Sequence, residues 1–168
     1  MKFGCDEMIQ LVPMTEDEFE AFMEISMPNH IQDQVKAGLW DAENAEANMQ
    51  KLLSQVLPDG LATPNHSFFM INDANTGSPV GGLWYVLMKD DGDLDILVLD
   101  IQIDPASRRR GYGTQAFLAM EEQARGMGAG AINLNVFKHN TAARAMYEKL
   151  GYLGDSEMMV KRLESGIA

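Results

Sequence analysis

The chain has 168 residues, of which 46% are hydrophobic and 23% charged, with a formal net charge of −12. These values fit a single globular domain over residues 1–168 and argue against a nucleic-acid-binding surface. A single cysteine, Cys5, excludes an intrachain disulfide, and no apolar run is long enough to span a membrane. We therefore expect a cytoplasmic protein that binds neither nucleic acid nor membrane.

The N-terminal third is predicted to be mainly helical. After a short strand at residues 8–12, Thr15 and Glu18 have the spacing of a capping box at the start of a first helix. A second short helix is expected from Asn29, and a longer third helix is expected to be capped by Asp41. The apolar stripe of this third helix is expected to contact the core and consists of Ala45, Met49, Leu52 and Val56.

From His66 onward the hydrophobic pattern changes to that of strands. Strands are predicted at residues 67–71, 80–88 and 94–103, with Asp91-Gly92 as a turn pair of the second hairpin. These three strands are expected to form an antiparallel meander.

The C-terminal part alternates helices and strands. We predict a helix at 111–125, a strand at 131–137, a helix at 141–150 and a strand at 158–163. The element order as a whole predicts an α/β (α+β) fold, with a central mixed, mostly antiparallel sheet and helices on both faces.

One connection has the features of an anion site. The strand end Ile101-Gln102-Ile103 is followed by Arg108-Arg109-Arg110 and then by Gly111-Tyr112-Gly113-Thr114 at the start of a helix. Backbone N–H groups there lack intrahelical partners, and glycines let a phosphate approach without a Cβ in the way. The stretch predicts a pyrophosphate site, although an ordinary strand–turn–helix connection with solvated arginines would have the same pattern.

A second segment, residues 135–152, completes a resemblance to a known family. Arg108-x-x-Gly111-x-Gly113 is similar to the (Gln/Arg)-x-x-Gly-x-(Gly/Ala) loop of the GNAT acetyltransferase superfamily. Asn140-x-x-Ala143, followed by Tyr147-x-x-x-Gly151-Tyr152, is similar to the Asn-x-x-Ala and Tyr-x-x-x-Gly-(Phe/Tyr) region of the same superfamily. The resemblance implies the GNAT fold and acetyl-CoA as co-substrate, with no metal.

The resemblance also assigns roles to individual residues. Backbone groups of 101–103 would bind the pantetheine and acyl group, backbone amides of 109–114 the pyrophosphate, and Asn140 the pantetheine arm. Tyr147 would protonate the departing thiolate, although it could instead be an aromatic residue that caps the core with its hydroxyl in water. The implied cofactor-binding residues are Ile101, Gln102, Ile103, Arg108, Arg109, Arg110, Gly111, Tyr112, Gly113, Thr114, Asn140 and Tyr147.

The general base is less well defined. One branch of the superfamily has a glutamate five residues before the motif Asn, where this chain has Asn135, which cannot act as a base. Asp100 is the candidate, although it could equally be a hydrogen-bonded structural acid. Strict alternation places it on the face of Ile96 and Val98, unless a bulge re-aims it. His139 is a further candidate, but its position fits a residue at a helix start.

These features lead to two functional hypotheses. The first is an N-acetyltransferase that transfers acetyl from acetyl-CoA directly to a primary amine in a ternary complex. The alternative is a non-catalytic acyl-CoA-binding or regulatory GNAT-fold module. The acceptor could be a small-molecule or peptide amine, the acidic charge favours a cationic one, and the resemblance allows a homodimer. The candidate lining residues of the acceptor pocket, which could equally belong to the core, are His30, Trp40, Trp84 and Tyr85.

Overall fold

The computed structural model describes residues 8–154, and its centre is a five-stranded sheet. Strands β1 (Ile9–Pro13), β2 (His66–Asp73), β3 (Pro79–Asp90) and β4 (Asp93–Ile103) pair in sequence order as an antiparallel meander. Strand β5 (Ala131–Leu134) is parallel to β4. The meander therefore includes one strand more than predicted, since β1 joins its edge. The strand predicted at 158–163 lies outside the described residues.

Within the described residues, four α-helices cover the two faces of this sheet. Helices α1 (Glu16–Lys36) and α2 (Ala45–Val56) pack on one face, and α3 (Tyr112–Met127) and α4 (Thr141–Lys149) pack on the other. The first core contains Phe19, Phe22, Phe68 and Trp84, and the second contains Ile71, Leu83, Ile96, Phe117 and Met120. The predicted mixed, mostly antiparallel sheet with helices on both faces is confirmed.

Helix α1 corrects the prediction of two short helices. It begins as expected, because Glu18 N–H donates to the Thr15 hydroxyl at 3.3 Å and Thr15 N–H donates to the Glu18 carboxylate at 2.8 Å. It then continues through Pro28 to Lys36, so no new helix starts at Asn29. Proline lacks one backbone donor. Before Pro28 the helix packs on the sheet through Phe19, Phe22, Met23 and Met27, and beyond it Asp33 contacts His139.

Helix α2 starts later than predicted. Asp41 belongs to the preceding turn, where its carbonyl accepts from Asn44 N–H at 3.1 Å, and Asn44 is the residue before the first helical turn. The predicted stripe is partly wrong, because Leu52 is 42% exposed while its neighbour Leu53 packs against the core.

The C-terminal elements are close to their predicted bounds. Helix α3 is flanked by Gly111 and Gly128, whose φ angles of 86° and 79° are left-handed and suit glycine. Strand β5 ends at Leu134 rather than at residue 137, so residues 135–140 form a connection to α4.

Strand β4 contains the bulge on which the candidate site depends. Trp84 of β3 pairs with Asp100 and Tyr85 pairs with Val98, so Leu99 has no partner on β3. A bulge adds one residue to a strand and shifts its side-chain alternation. Isoleucines 101 and 103 therefore pack into the same core as Ile96 and Val98, and residues 100 and 102 turn to the opposite face. Strict alternation was wrong here, and the bulge alternative is confirmed.

Strands β4 and β5 also part at this position. Their register runs only from Asp95↔Ala131 to Val98↔Leu134. Beyond Val98, within residues 8–154, β4 pairs only with β3. The last residues of β4 thus leave one backbone edge open beside the connection that leads into α4.

Candidate active site

Asp100 lies at the centre of a polar group beneath helix α1. Its Oδ2 atom accepts hydrogen bonds from the Ser26 hydroxyl and from Gln102 Nε2, the latter at 2.7 Å. Ser26 is completely buried, and only 16% of the Asp100 side chain is exposed. The bulge and α1 together therefore hold a carboxylate whose position is fixed by two donors.

His30 stands one helical turn beyond Ser26, on the same face of α1. Its Nε2 atom is 3.9 Å from Asp100 Oδ2, which is too long for a direct hydrogen bond. This Nε2 is buried and has no hydrogen-bond partner among the described residues, whereas 30% of the side chain is exposed. The ring thus turns one nitrogen inward to the carboxylate and keeps its other edge towards the surface.

Tyr147 of α4 is a titratable residue on the other face of the sheet, where it packs against the core that contains Phe117. Its ring packs against Phe117 and Tyr152, with centroid distances of 5.1 and 6.1 Å. Burial, with the negative charge of Asp100 as a second cause, raises the pKa of Tyr147 to about 12. The phenol is therefore protonated at neutral pH and can donate a proton to a stronger base.

The connection between β4 and α3 has the backbone conformation of an anion site. Arg109 and Gly111 have positive φ angles of 59° and 86°. In the described part of the chain, no side chain caps the N-terminus of α3 at Gly111, so the first backbone donors of the helix are available for a ligand. Arg108 Nε donates to the Ile103 carbonyl at 3.0 Å and thereby ties the loop to the end of β4.

Three residues where this connection enters α3 have structural contacts that the sequence did not indicate, namely Arg110, Tyr112 and Gly113. Tyr112 is buried, its hydroxyl donates to Asp73, and this hydrogen bond lowers the pKa of the Asp73 carboxyl. A Cβ on Gly113 would lie 3.2 Å from Met146 Sδ and 3.7 Å from Ile103 Cγ1. Gly113 therefore permits close packing between α3, α4 and β4. Arg110 lies over the Tyr112 ring, 5.1 Å from its centroid, and Thr114 is half-buried.

The connection from β5 to α4 carries the remaining predicted residues. Asn140 is exposed and precedes α4, where its side-chain oxygen accepts from Ala143 N–H at 3.4 Å. His139 Nε2 lies 2.8 Å from Asp33 Oδ1 of α1, and its ring stacks on Phe137 at 5.4 Å. His139 thus pairs with Asp33 and fits its helix-start interpretation. Asn135 is exposed.

The four predicted lining residues of the acceptor pocket separate into two pairs. Trp84 and Tyr85 are 4% and 3% exposed and belong to the two cores, and Trp84 Nε1 donates to His66 Nδ1 at 2.9 Å. Trp84 and Tyr85 are therefore core residues and do not line an acceptor pocket. Trp40 is half-buried beside α2, and His30 faces Asp100.

Sequence reasoning missed the Ser26 hydroxyl and the juxtaposition of His30 with Asp100. A signal existed, because residues 26 and 30 have the i, i+4 spacing of one helix face. Pro28 between them concealed it, since it had suggested that the helix ended there.

Residues 8–154 contain no group of three or more His, Cys, Asp or Glu side chains that could hold a metal ion. None of the helices in this part of the chain combines the length and the apolar character that crossing a membrane requires.

Comparison with known proteins identifies the family. The model of the Acetyltransferase (GNAT) family matches residues 19–152. The chain is 32% identical over 155 residues to the uncharacterized N-acetyltransferase YycN of Bacillus subtilis (strain 168), an alignment that covers 92% of this chain and 99% of that protein. The chain therefore belongs to the GNAT family and is an acetyltransferase.

Other relatives agree with this assignment. YdgE, a second uncharacterized N-acetyltransferase of B. subtilis, is 30% identical and covers 91% of this chain and 97% of its own length. The crystal structure of YycN superposes with a TM-score of 0.85 at 30% identity and covers 94% of this chain and 99% of that one. A structure of AAC(6′)-Iy with a CoA-linked bisubstrate analogue has a TM-score of 0.57, at 14% identity and with 94% and 99% coverage, and shares the fold.

Proposed function

We propose that the protein transfers the acetyl group of acetyl-CoA to a primary amine by direct attack within a ternary complex. One observation carries the proposal: Tyr147 is half-buried and protonated, and the negative charge of Asp100, on a strand whose last residues leave one backbone edge open, contributes to raising its pKa. Acyl transfer to an amine needs an acid for the leaving thiolate and an acceptor for the amine protons.

Acetyl-CoA fits the features of the β4–α3 region. The open edge at residues 101–103 offers backbone groups to the pantetheine and acyl amides, as an added strand would. The uncapped amides of 109–114 suit the pyrophosphate. Since the Asn140 oxygen caps α4, its Nδ2 would be the donor to the pantetheine arm. Arg108 is engaged with the Ile103 carbonyl, so it supports the loop, and Arg109 and Arg110 remain for the phosphates.

The proposed chemistry assigns one role to each titratable group. The amine attacks the thioester carbon, the C–N bond forms and the C–S bond breaks. Tyr147 gives its proton to the departing sulfur and is reprotonated from water. The negative charge of Asp100 favours the loss of protons from the amine. The ammonium loses two protons overall, one of which ends on the CoA sulfur and the other in solvent.

A second candidate function is an acyl-CoA-binding module without turnover. It is favoured by one observation, namely that an asparagine occupies position 135, where a branch of the superfamily has its glutamate. Retention of Asn140 and Tyr147 at matching positions supports the enzymatic proposal instead.

The acceptor is proposed at the level of a chemical class. A net charge of −12 favours a cationic small-molecule or peptide amine. We further propose that residues 1–168 form one domain and that the protein acts in the cytoplasm, in keeping with its single cysteine. Homodimerisation stays a prediction.

Thiol release from acetyl-CoA tests the proposal. Spermidine, kanamycin and a lysine-containing peptide serve as acceptors, with wild type and Tyr147→Phe measured in parallel. We expect at least one amine to accelerate thiol release, and Tyr147→Phe to lower kcat by about 10²-fold with unchanged CoA affinity, because general acids contribute about 10²–10⁴. Tight CoA binding without acceleration by any amine would favour the non-catalytic module.

A further inference from the structure

We infer that His30 is the group that removes the proton from the acceptor amine, with Asp100 as its partner rather than the immediate base. The inference rests on the proposed function, since it assigns a residue to that reaction. It is carried by the juxtaposition of the inward-facing His30 Nε2 with Asp100 Oδ2 and by the two donors that already occupy this carboxylate oxygen.

Asp100 is poorly arranged to take the proton itself. Ser26 and Gln102 both donate to Oδ2, so two of the acceptor positions of this carboxylate are already occupied. It lies beneath α1 and is only 16% exposed. The same arrangement suits an anion that stabilises a neighbouring cation.

His30 has the geometry that Asp100 lacks. Within residues 8–154 its buried Nε2 has no hydrogen-bond partner, so a proton on this nitrogen would point at the carboxylate 3.9 Å away, a separation that can shorten when substrate binds. This tautomer leaves the lone pair on Nδ1, and because Nε2 is buried, the exposed 30% of the side chain lies on its other atoms. A carboxylate that orients a histidine and stabilises its imidazolium is a recurrent catalytic arrangement.

The proton inventory is balanced in this scheme. Nδ1 of His30 takes one proton from the ammonium and passes it to water, which leaves a neutral amine to attack the thioester carbon. After attack, the nitrogen of the tetrahedral intermediate loses a second proton to water, and the C–S bond breaks. The thiolate receives a proton from Tyr147, whose phenolate regains one from water.

Kinetic comparison of three proteins tests this inference: wild type, His30→Gln and His139→Gln. With an acceptor that supports turnover, we expect His30→Gln to lower kcat by about 10²-fold while CoA affinity, measured by calorimetry, changes by less than about twofold. His139 is the matched comparison, because it also faces an aspartate, but that aspartate is Asp33 of α1 and not Asp100. A larger kcat loss in His139→Gln than in His30→Gln would overturn the inference.

A second acceptor separates a base from a structural role. The hydrazide counterpart of the same acceptor is neutral at neutral pH and needs no base before attack. We expect the His30→Gln loss to shrink below about tenfold with the hydrazide, whereas a misfolded or misaligned site would lose equal activity with both acceptors. Equal losses would overturn the assignment of His30. If wild type releases no thiol with any amine, the proposed function fails as well, so the two failures are distinguishable.

Discussion

The glycines and arginines of the β4–α3 connection contribute to the site in different ways. Gly111 has a left-handed backbone that L side chains rarely adopt, and Gly113 lies in a tight contact with Met146. Arg108 uses its guanidinium on the Ile103 carbonyl, and Arg110 lies over the Tyr112 ring. The two glycines are therefore expected to matter more for CoA binding than the arginines, because the backbone amides and not the side chains would contact the proposed pyrophosphate.

This difference predicts a ranking of variants. Gly111→Val and Gly113→Val should each abolish measurable CoA binding, because a non-glycine residue in a strained conformation costs on the order of 1–3 kcal/mol and a side chain forced into the Gly113 contact moves the amides. Arg108→Ala, Arg109→Ala and Arg110→Ala should each only weaken it. Titration calorimetry with CoA measures both effects.

The control for backbone strain is Gly77→Val. Gly77 also has a positive φ of 71°, but it lies in the turn between β2 and β3, where a Cβ would meet no atom of the described residues within 4 Å. We expect this variant to lose stability and to retain CoA affinity. Arginine variants that lose more affinity than the glycine variants would contradict the backbone interpretation.

At the scale of elements, the sequence predicted the fold better than the site. Alternation and turn pairs located the strands, and two motifs identified the family, because these signals depend on neighbouring residues. The Leu99 bulge and the continuity of α1 through Pro28 depend on tertiary packing instead. For this reason, the sequence identified Asp100 as a candidate base but did not determine the face of the sheet on which its side chain lies. Its contacts with Ser26 and His30 were not predicted.

The close pairing of β3 with β4 holds residues 101–103 in place. Substituting Gly81 of β3 by alanine tests this pairing, because it adds one carbon atom between the strands. A Cβ on Gly81 would lie 2.0 Å from the Gln102 carbonyl oxygen, which is backbone and cannot move aside cheaply. Gly81→Ala should therefore destabilise the protein by about 1–3 kcal/mol and lower activity by displacing residues 101–103. Urea unfolding and thiol release measure the two effects.

Gly126→Ala is the matched substitution for this experiment. Gly126 lies within α3, and a Cβ there would meet nothing within 4 Å in the part of the chain that the structure describes. Alanine should stabilise the helix by up to about 1 kcal/mol, because it restricts the unfolded chain and favours helix. A neutral Gly81→Ala would show that the strands can separate without cost at this point.

At the scale of the whole molecule, tyrosines in the core around Phe117 share one electrostatic property. Burial raises the pKa values of Tyr85, Tyr147 and Tyr152, and a hydrogen bond to Asp73 raises that of Tyr112. The folded protein therefore holds phenolic protons that the unfolded chain releases at lower pH.

Folding stability is accordingly expected to fall at alkaline pH. Above about pH 10, the ordinary tyrosine pKa, the unfolded state binds fewer protons than the folded state, so the free energy of unfolding decreases with rising pH. For Tyr147 this loss extends through a pKa of about 12. Urea unfolding at a series of pH values should show a smaller alkaline loss for Tyr147→Phe than for wild type. An unchanged slope would contradict the raised pKa.

The bulge at Leu99 means that β4 has one residue to spare at this point and none to spare beyond it. Substituting Leu99 leaves the count of residues intact, so Asp100 still faces α1. Deleting it would restore regular pairing with β3 and leave Val98 opposite Tyr85 and Asp100 opposite Trp84, as they are now. Asp100 would therefore still face α1, and Ile101 and Ile103 would still face the core around Phe117. A deletion between Asp100 and Ile103, in contrast, would exchange the faces of the strand residues beyond it.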